Sequence, residues 1–283
     1  MYDVKVIEHS VSPHGIELLT MQLTYPRYIH AEFMTHRVFS RNASSSRAIP
    51  TSKLIKNSLR DMVYPIAWGQ NQAGMQAQDT ELSDQDCIKA KEIWEDMANY
   101  CAKGVGQLAL LGDINPDTGK PYGLHKQWAN RPLEWFGNIT VVVTSTDWNN
   151  WDELRNHEMA QPEIHHLAEL RLDCVTKSVP TELFFGDWHL PYVSELEKRE
   201  NDIEVLKMIS TARCARVSYL TQEGKTPNIL DDIKLYERLV GSVPLHASPC
   251  EHQATPNILN PNEYSGNFRG WIQHRKQLEA KFK

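Results

Sequence analysis

The spacing of hydrophobic and polar positions predicts three strands. Residues 2–9 are expected to form a short strand. Leu19, Met21 and Leu23 recur with a period of two, which is typical of a half-buried strand. The segment 139–144 is β-branched at every position, and this pattern predicts a buried strand.

Apolar residues at helical spacing predict helices elsewhere in the chain. These begin near Pro26, Thr51, Ser83, Ser145 or Thr146, Pro162, Ile203 and Asp231. Proline fits the first turn of a helix, and Ser83 resembles an N-cap. The helix after Ser83 is expected to turn one apolar stripe into the core: Ile88, Trp94, Met97, Cys101, Val105 and Leu108. We therefore predict an α+β fold, in which long helices pack on a mixed β-sheet.

The composition is ordinary for a globular protein, with 41% hydrophobic and 23% charged residues among 283. We expect one domain made of consecutive blocks, 1–66, 67–123, 124–177, 178–265 and 266–283. The glutamine-rich segment 68–86 is expected to be a surface excursion. No membrane span, secretion signal or CxxC pair is visible, so we expect a cytoplasmic protein with reduced cysteines. The histidine spacing does not indicate a metal site.

The segment 26–50 concentrates positive charge in a chain whose formal net charge is −6. Its basic residues are Arg27, His30, His36, Arg37, Arg41 and Arg47. Ser44, Ser45 and Ser46 come directly before Arg47. Hydroxyl and guanidinium groups are typical phosphate ligands, so we expect an anion site here, with the N–H groups of the 43–47 turn as additional donors. A solvated basic surface is the alternative. The acidic net charge argues against broad nucleic-acid binding.

The order of residues in this segment resembles the signature of flavin-dependent thymidylate synthases. That signature contains Arg-His-Arg, then Asn-Glu, then a Ser and an Arg at alternate positions. The residues that fit it are His36, Arg37, Asn42, Ser45 and Arg47. Two positions depart from it, because Thr35 replaces the first Arg and Ala43 replaces the Glu.

Two further blocks resemble the same family. Asn150, the Leu154-Arg155 pair and the segment AQPEI (160–164) match one of them. In that block, Thr144 and Thr146 replace an Asn and an Arg. ARCARVSY (212–219) and HASPCEH (246–252) match the other block, with Cys250 in place of a Phe.

The three blocks occur in a rotated order. In the family, the ARVS and HxSPFEH block comes first, whereas here it comes last. The resemblance therefore implies a circular permutation, which suits a fold whose termini lie close together at the surface. The C-terminal pair His274-Arg275 has surroundings similar to those of His36-Arg37, which suggests a remnant of tandem duplication. A chance match in a C-terminal helix is the alternative.

The resemblance also implies a function. Family members are homotetramers that convert dUMP to dTMP, with carbon from methylenetetrahydrofolate and a hydride from FAD that NADPH reduces; no cysteine nucleophile is needed. It implies that Arg155 is catalytic and polarises the pyrimidine. The implied flavin-binding residues are His36, Arg37, Asn42, Thr144, Thr146, Asn150 and Ser248. The implied nucleotide-binding residues are Glu32, Ser45, Ser46, Arg47, Arg131 and Arg155.

The departures from the family pattern keep other functions open. Glu32 stands where the family usually has Gln, and it would repel a phosphate unless it pairs with Arg47 or Arg131. One alternative is transfer of a methyl or hydroxymethyl group to C5 of another pyrimidine nucleotide, such as dCMP. A second alternative is a non-catalytic nucleotide-binding protein. The presence of Arg155 argues against this second alternative.

Overall fold

The computed structural model describes residues 2–74, 77, 80–219 and 228–281. Its strands are β1 (Asp3–Val11), β2 (Glu17–Pro26), β3 (Ser40–Ala43), β4 (Asn138–Ser145), β5 (Thr181–Glu182), β6 (Ala254–Pro256), β7 (Tyr264–Ser265), β8 (Phe268–Arg269) and β9 (Trp271–Gln273). The first five form a sheet in the order β3-β4-β2-β1-β5. β1 and β5 pair in parallel and the other neighbours are antiparallel, so the sheet is mixed.

The helices occupy the connections between these strands, and the last helix follows β9. They are α1 (His30–Met34), α2 (Thr51–Arg60), α3 (Asp84–Leu108), α4 (Lys126–Ala129), α5 (Asn149–Arg155), α6 (Pro162–Thr176), α7 (Glu195–Glu200), α8 (Ile203–Tyr219), α9 (Ile229–Val240) and α10 (His274–Lys281). Short 3-10 helices cover Arg27–Ile29, Ser46–Ala48, Arg131–Phe136 and Ser248–Glu251. The predicted α+β fold with a mixed sheet is confirmed. Among the helices in the described ranges, none has the length and hydrophobicity needed to cross a membrane.

Strand β4 is buried on both faces, and this explains its continuous β-branched sequence. Val141 and Val143 lie in the main core together with side chains of α5 and α6. Val142 points to the other face, where it packs against Cys214 and Val217 of α8. Successive side chains of a strand point to opposite faces, so a strand covered on both sides favours apolar or β-branched residues at odd and even positions alike.

The expected core stripe of α3 is partly wrong. Ile88 is 63% exposed and Met97 is 44% exposed, whereas Ala98, Ala102 and Val105 are buried. An α-helix turns by about 100° per residue, so these three lie on one narrow face and Met97 lies on its flank. The helix therefore presents large apolar side chains outside the core.

The ends of the glutamine-rich segment lie side by side, because Gly69 and Glu81 form an isolated antiparallel bridge. Residues 75, 76, 78 and 79 of this segment lie outside the described residues, so the expected excursion is only partly observed. Within the described ranges, no group of three or more His, Cys, Asp or Glu side chains could hold a metal ion.

Candidate active site

Arg155 lies at the end of α5, one turn after Trp151, which is buried in the main core. Its Nε donates a hydrogen bond to His36 Nε2 at 3.0 Å. Its Nη2 donates to Thr35 Oγ1 at 3.2 Å and to the main-chain oxygen of Glu32 at 3.5 Å. All three acceptors are neutral, and no carboxylate of the described residues pairs with Arg155. The guanidinium group is thus held in place while its charge stays available to a ligand.

His36 supports this arrangement because it stays uncharged. Its ring is buried between Phe39 and Trp151, with ring centroids 5.7 and 5.0 Å away. Burial, and then the positive charges of Arg155 and Arg41, lower the pKa of His36 to about 4. A side-chain hydrogen bond with Asn150 acts in the opposite direction. The neutral ring accepts the hydrogen bond of Arg155 at Nε2, and three predicted site residues meet here.

A polar cavity of about 600 Å³ gathers four more predicted residues: Asn42, Ser45, Arg47 and Ser248. They come from segments about two hundred positions apart in the sequence, and the Asn42 and Ser248 side chains lie 3.3 Å apart. Arg47 is exposed, and among the described residues its side chain donates a hydrogen bond to the Ser45 hydroxyl alone, at 3.4 Å. Its positive charge is therefore open to an anion in the cavity.

Other predicted site residues are occupied by protein contacts. The fully buried Thr144 hydroxyl lies 2.6 Å from that of Thr20 and 2.8 Å from His252 Nδ1. Thr146 Oγ1 accepts the main-chain N–H of Arg269 at 3.2 Å. Direct flavin contacts of Thr144 and Thr146 stay predictions. Arg37 is exposed and makes no hydrogen bond or ion pair with the described residues.

Among the described residues, Glu32 pairs with neither Arg47 nor Arg131, the two arginines considered as its partners. Arg131 pairs instead with Glu134, at 3.0 Å, and Ser46 also donates to Glu134. Oε2 of Glu32 is buried and has no hydrogen-bond partner within the described part of the chain. The main-chain oxygen of Glu32 accepts a hydrogen bond from Arg155 Nη2, so Glu32 belongs to the Arg155 centre, which consists of Arg155, His36, Thr35 and Glu32.

The expected phosphate-binding turn at 43–47 is also only partly formed. Ala43 belongs to β3, and the N–H of Ser44 donates to the main-chain oxygen of Thr140 at 2.7 Å. This strand pairing removes Ser44 N–H from the donors that a phosphate could use. The hydroxyl of Ser45 and the guanidinium of Arg47 are the side-chain donors that reach the cavity from this segment.

Sequence reasoning missed several polar residues of the cavity and its surroundings. His125, His246 and Arg275 line the cavity, and His252 lies behind it, bonded to Asn42. His246 and His252 both belong to the HASPCEH motif. The motif therefore indicated these two residues as well as Ser248. Arg275 is paired with Glu251 and Glu279, which compensate its charge.

The duplication suggested for the His274-Arg275 pair is not supported by local structure. His36-Arg37 follow α1 and precede β3, whereas His274-Arg275 follow β9 and begin α10. A turn after a helix and the start of a helix after a strand are different conformations. We therefore reject the duplication and interpret the similarity as chance.

The motif cysteine Cys250 is unsuited to nucleophilic attack. It is fully buried, and burial raises the pKa of its thiol to about 12. Burial also raises the pKa of the neighbouring Cys214. The reactive form of cysteine is the thiolate, which is therefore disfavoured at both positions at neutral pH.

A second cavity, of about 700 Å³, adjoins the AQPEI segment. Tyr28, Trp94 and Trp135 line it together with Glu163. The Glu163 carboxylate accepts the N–H of Ile66 at 2.8 Å and a side-chain hydrogen bond from Gln161 at 2.9 Å. None of the site residues predicted from the sequence lines this cavity, so the candidate site consists of the smaller polar cavity and the Arg155 centre.

Solved structures that match this chain include a UMP/dUMP methylase, PolB from Streptomyces cacaoi, bound with 5-Br UMP. It is 14% identical, with a TM-score of 0.47 over 62% of this chain and 89% of that chain. The same methylase bound with 5-Br dUMP gives 14% identity and a TM-score of 0.45 over 62% and 90% of the two chains. No curated protein sequence matches this chain significantly.

The sequence itself defines the family. The model of the thymidylate synthase complementing protein family matches residues 6–181, which is more than half of the 283 residues. This range contains the Arg155 centre and the Asn42–Arg47 wall of the polar cavity. The protein belongs to the thymidylate synthase complementing protein family, as the motifs predicted.

Proposed function

We propose that the protein methylates C5 of dUMP to form dTMP, with methylenetetrahydrofolate as carbon donor and NADPH as reductant of bound FAD. The observation that carries the proposal is the Arg155 guanidinium, which is held by three neutral acceptors and has no carboxylate partner among the described residues. Family membership supports a pyrimidine nucleotide as the substrate.

In this proposal Arg155 donates to a carbonyl oxygen of the pyrimidine ring. It stabilises the negative charge that develops on the ring while C5 forms its new bond. A donor that is already held in position does not have to reorient during the reaction, which makes its charge more effective than that of a mobile group. Neutral His36 fixes the guanidinium without adding a second positive charge.

The polar cavity supplies the groups that hold the ligands. Ser45 and Arg47 would bind the nucleotide phosphate, since a hydroxyl and an open guanidinium group are suited to it. Asn42 and Ser248 would contact the flavin through their polar side chains. The cavity volume of about 600 Å³ lies within the usual range for small-molecule sites. When bound, FAD supplies hydride-transfer chemistry, which no side chain of the protein can provide.

The remaining predicted residues act at the edges of this site. His36 and Asn150 position Arg155, and exposed Arg37 is free to reach a flavin phosphate. Buried Thr144 and the bonded Thr146 are better suited to positioning other groups than to direct contact. Ser46 and Arg131 are both bonded to Glu134. They would therefore support the part of the site that binds the phosphate and would not bind the phosphate themselves.

Self-association as a homotetramer is part of the proposal. Large apolar side chains on α3 are exposed, including Ile93 at 52% and Tyr100 at 79%. Exposed apolar patches on a helix are typical of subunit interfaces. The circular permutation is also proposed: the family match ends at residue 181, before the third motif block, and Ser248 of that block contacts Asn42 of the first.

Glu32 favours a second candidate, one-carbon transfer to C5 of dCMP. Its carboxylate oxygen Oε2 is buried and without a partner among the described residues, and Arg155 is bonded to its main chain. A carboxylate accepts hydrogen bonds, as from the amino group of cytosine, but it repels the carbonyl oxygen that uracil carries at the same ring position.

The two candidates are separated by the mass of the nucleotide product. The protein, loaded with FAD and desalted, is incubated with methylenetetrahydrofolate, NADPH and either dUMP or dCMP. We expect retained flavin absorption and addition of one methyl group to dUMP. Modification of dCMP alone would establish the second candidate, a hydroxymethyl product would show that the hydride step is lost, and no product from either nucleotide would refute both.

A further inference from the structure

A continuous line of hydrogen bonds runs from the wall of the polar cavity into the interior of the sheet. Its members are the side chains of Asn42, His252, Thr144, Thr20, His189 and Ser10, of which all but Asn42 are fully buried. From the cavity inward, the successive distances between their polar atoms are 3.0, 2.8, 2.6, 2.7 and 2.9 Å. The line joins β3, β4, β2 and β1 to two loop histidines.

The protons along this line can be arranged in only two ways if every buried donor is used. Burial lowers the pKa of His252 to about 3, and it also lowers the pKa of His189. A neutral histidine donates from one ring nitrogen and accepts at the other, and each hydroxyl has one proton to donate. All hydrogen bonds of the line therefore point away from Asn42 or all point toward it.

The surroundings of Asn42 select one of these two directions. The end of its amide group that lies 3.0 Å from His252 Nε2 is also 3.3 Å from the main-chain oxygen of Arg41 and 3.1 Å from that of Ser248. The two main-chain oxygens can only accept and only the nitrogen of an amide can donate, so the nitrogen lies at this end. An NH2 group cannot accept a hydrogen bond from a ring N–H, so His252 Nε2 is the unprotonated, accepting nitrogen. Asn42 thus donates to His252, and each member donates onward until His189 Nδ1–H reaches Ser10 Oγ.

We propose that this buried line is a positioning device that directs the side-chain carbonyl of Asn42 toward the cavity. At this point the cavity therefore selects a ligand group that donates a hydrogen bond, such as a ring N–H or an amino group, over a carbonyl or phosphate oxygen. The Oδ1 end of Asn42 lies 3.3 Å from the exposed Ser248 hydroxyl, which can donate to it or be replaced by the ligand. That the ligand group at the Asn42 carbonyl belongs to a flavin or a nucleotide rests on the proposed function. The donor-to-acceptor direction of the buried hydrogen bonds does not depend on it.

Nuclear magnetic resonance of the ligand-free protein tests the direction. With 15N-labelled histidine, and with His252→Gln and His189→Gln spectra to assign the signals, we expect both rings to be neutral Nδ1–H tautomers at about pH 7. An Nε2–H tautomer at both positions would reverse the direction of the line, and one at a single position would interrupt it; either result would overturn the proposal. This measurement needs no activity, so it stands even if the protein binds no FAD.

A matched pair of variants tests the effect on the cavity. Thr144→Val interrupts the line without touching the cavity, whereas Thr140→Val removes the equivalent cross-strand bond on the same strands, between Thr140 and Thr24 at 2.9 Å. In FAD titrations we expect Thr144→Val to weaken binding by about five- to tenfold, as expected for the loss of one buried hydrogen-bond constraint.

Thr144→Ser, which keeps the hydroxyl, should restore FAD binding, and Thr140→Val should leave it unchanged. Equal FAD affinity of Thr144→Val and wild type would show that the line only supports the fold, and would overturn the proposal. If the wild type itself binds no FAD, the proposed function fails, and the tautomers of His252 and His189 then decide the positioning device alone.

Discussion

Removal of the Arg155 side chain is the sharpest perturbation of the proposed chemistry. Arg155 makes its three hydrogen bonds to neutral atoms, so Arg155→Ala leaves no carboxylate of the described residues without a partner. Loss of one preorganised donor at a developing charge lowers kcat by about 10²- to 10³-fold, or about 3–4 kcal/mol in the activation free energy. The free energy of unfolding should fall by only about 1–2 kcal/mol, because the lost hydrogen bonds are partly exposed.

The assay compares kcat and KM for dUMP methylation in Arg155→Ala, in wild type and in a control. Arg60→Ala is the matched control, because Arg60 is exposed on α2 and pairs only with its neighbour Asp61 among the described residues. In Arg155→Ala the pKa of His36 should also rise, since the charge of Arg155 contributes to its lowering. A kcat within twofold of wild type would refute the role of Arg155.

Three further predictions concern stability and specificity. Folding lowers the pKa of His36 to about 4 and of His252 to about 3, so the stability they contribute is present above about pH 6.5 and is lost as pH falls. Urea unfolding should show a loss of about 2 kcal/mol for each between pH 7 and pH 5, and an unchanged free energy of unfolding would contradict this. Glu32→Gln removes the unpaired carboxylate and should raise the ratio of dUMP to dCMP turnover in competition assays; a lower ratio would show that Glu32 favours uracil. Fully buried Asp232 accepts hydrogen bonds from two arginines of α8, so Asp232→Asn should cost about 3–5 kcal/mol, whereas exposed Asp231→Asn should cost little in the same unfolding experiment.

The elements were predictable where one physical requirement dominates. The β-branched run of β4 has to be buried on both faces, and Pro162 occupies the first turn of α6 as expected. The stripe of α3 was less predictable, because a helix with many apolar residues can turn several faces inward. The structure buries the small residues Ala98 and Ala102 and exposes the larger Met97. Ala102 packs with Leu54 and Ile55 of α2, and close packing between two helices selects by size as well as hydrophobicity.

Motif spacing could group the candidate site residues, but it could not give their geometry. Motif spacing identified Arg155, Asn42 and Ser248, and the structure places the last two in contact. The partner of Thr144 could not be predicted, because it depends on the register in which β2 and β4 pair. That register places Thr20 opposite Thr144 and makes a motif position part of a buried line.

The central claim is tested most directly by the nucleotide that the purified protein forms from dUMP. The complete mixture contains FAD, NADPH and methylenetetrahydrofolate, and each of these is then omitted in turn. The account predicts dTMP in the complete mixture and none when any component is missing. Unchanged dUMP in the complete mixture, or dTMP formed at the same rate without FAD, would contradict it.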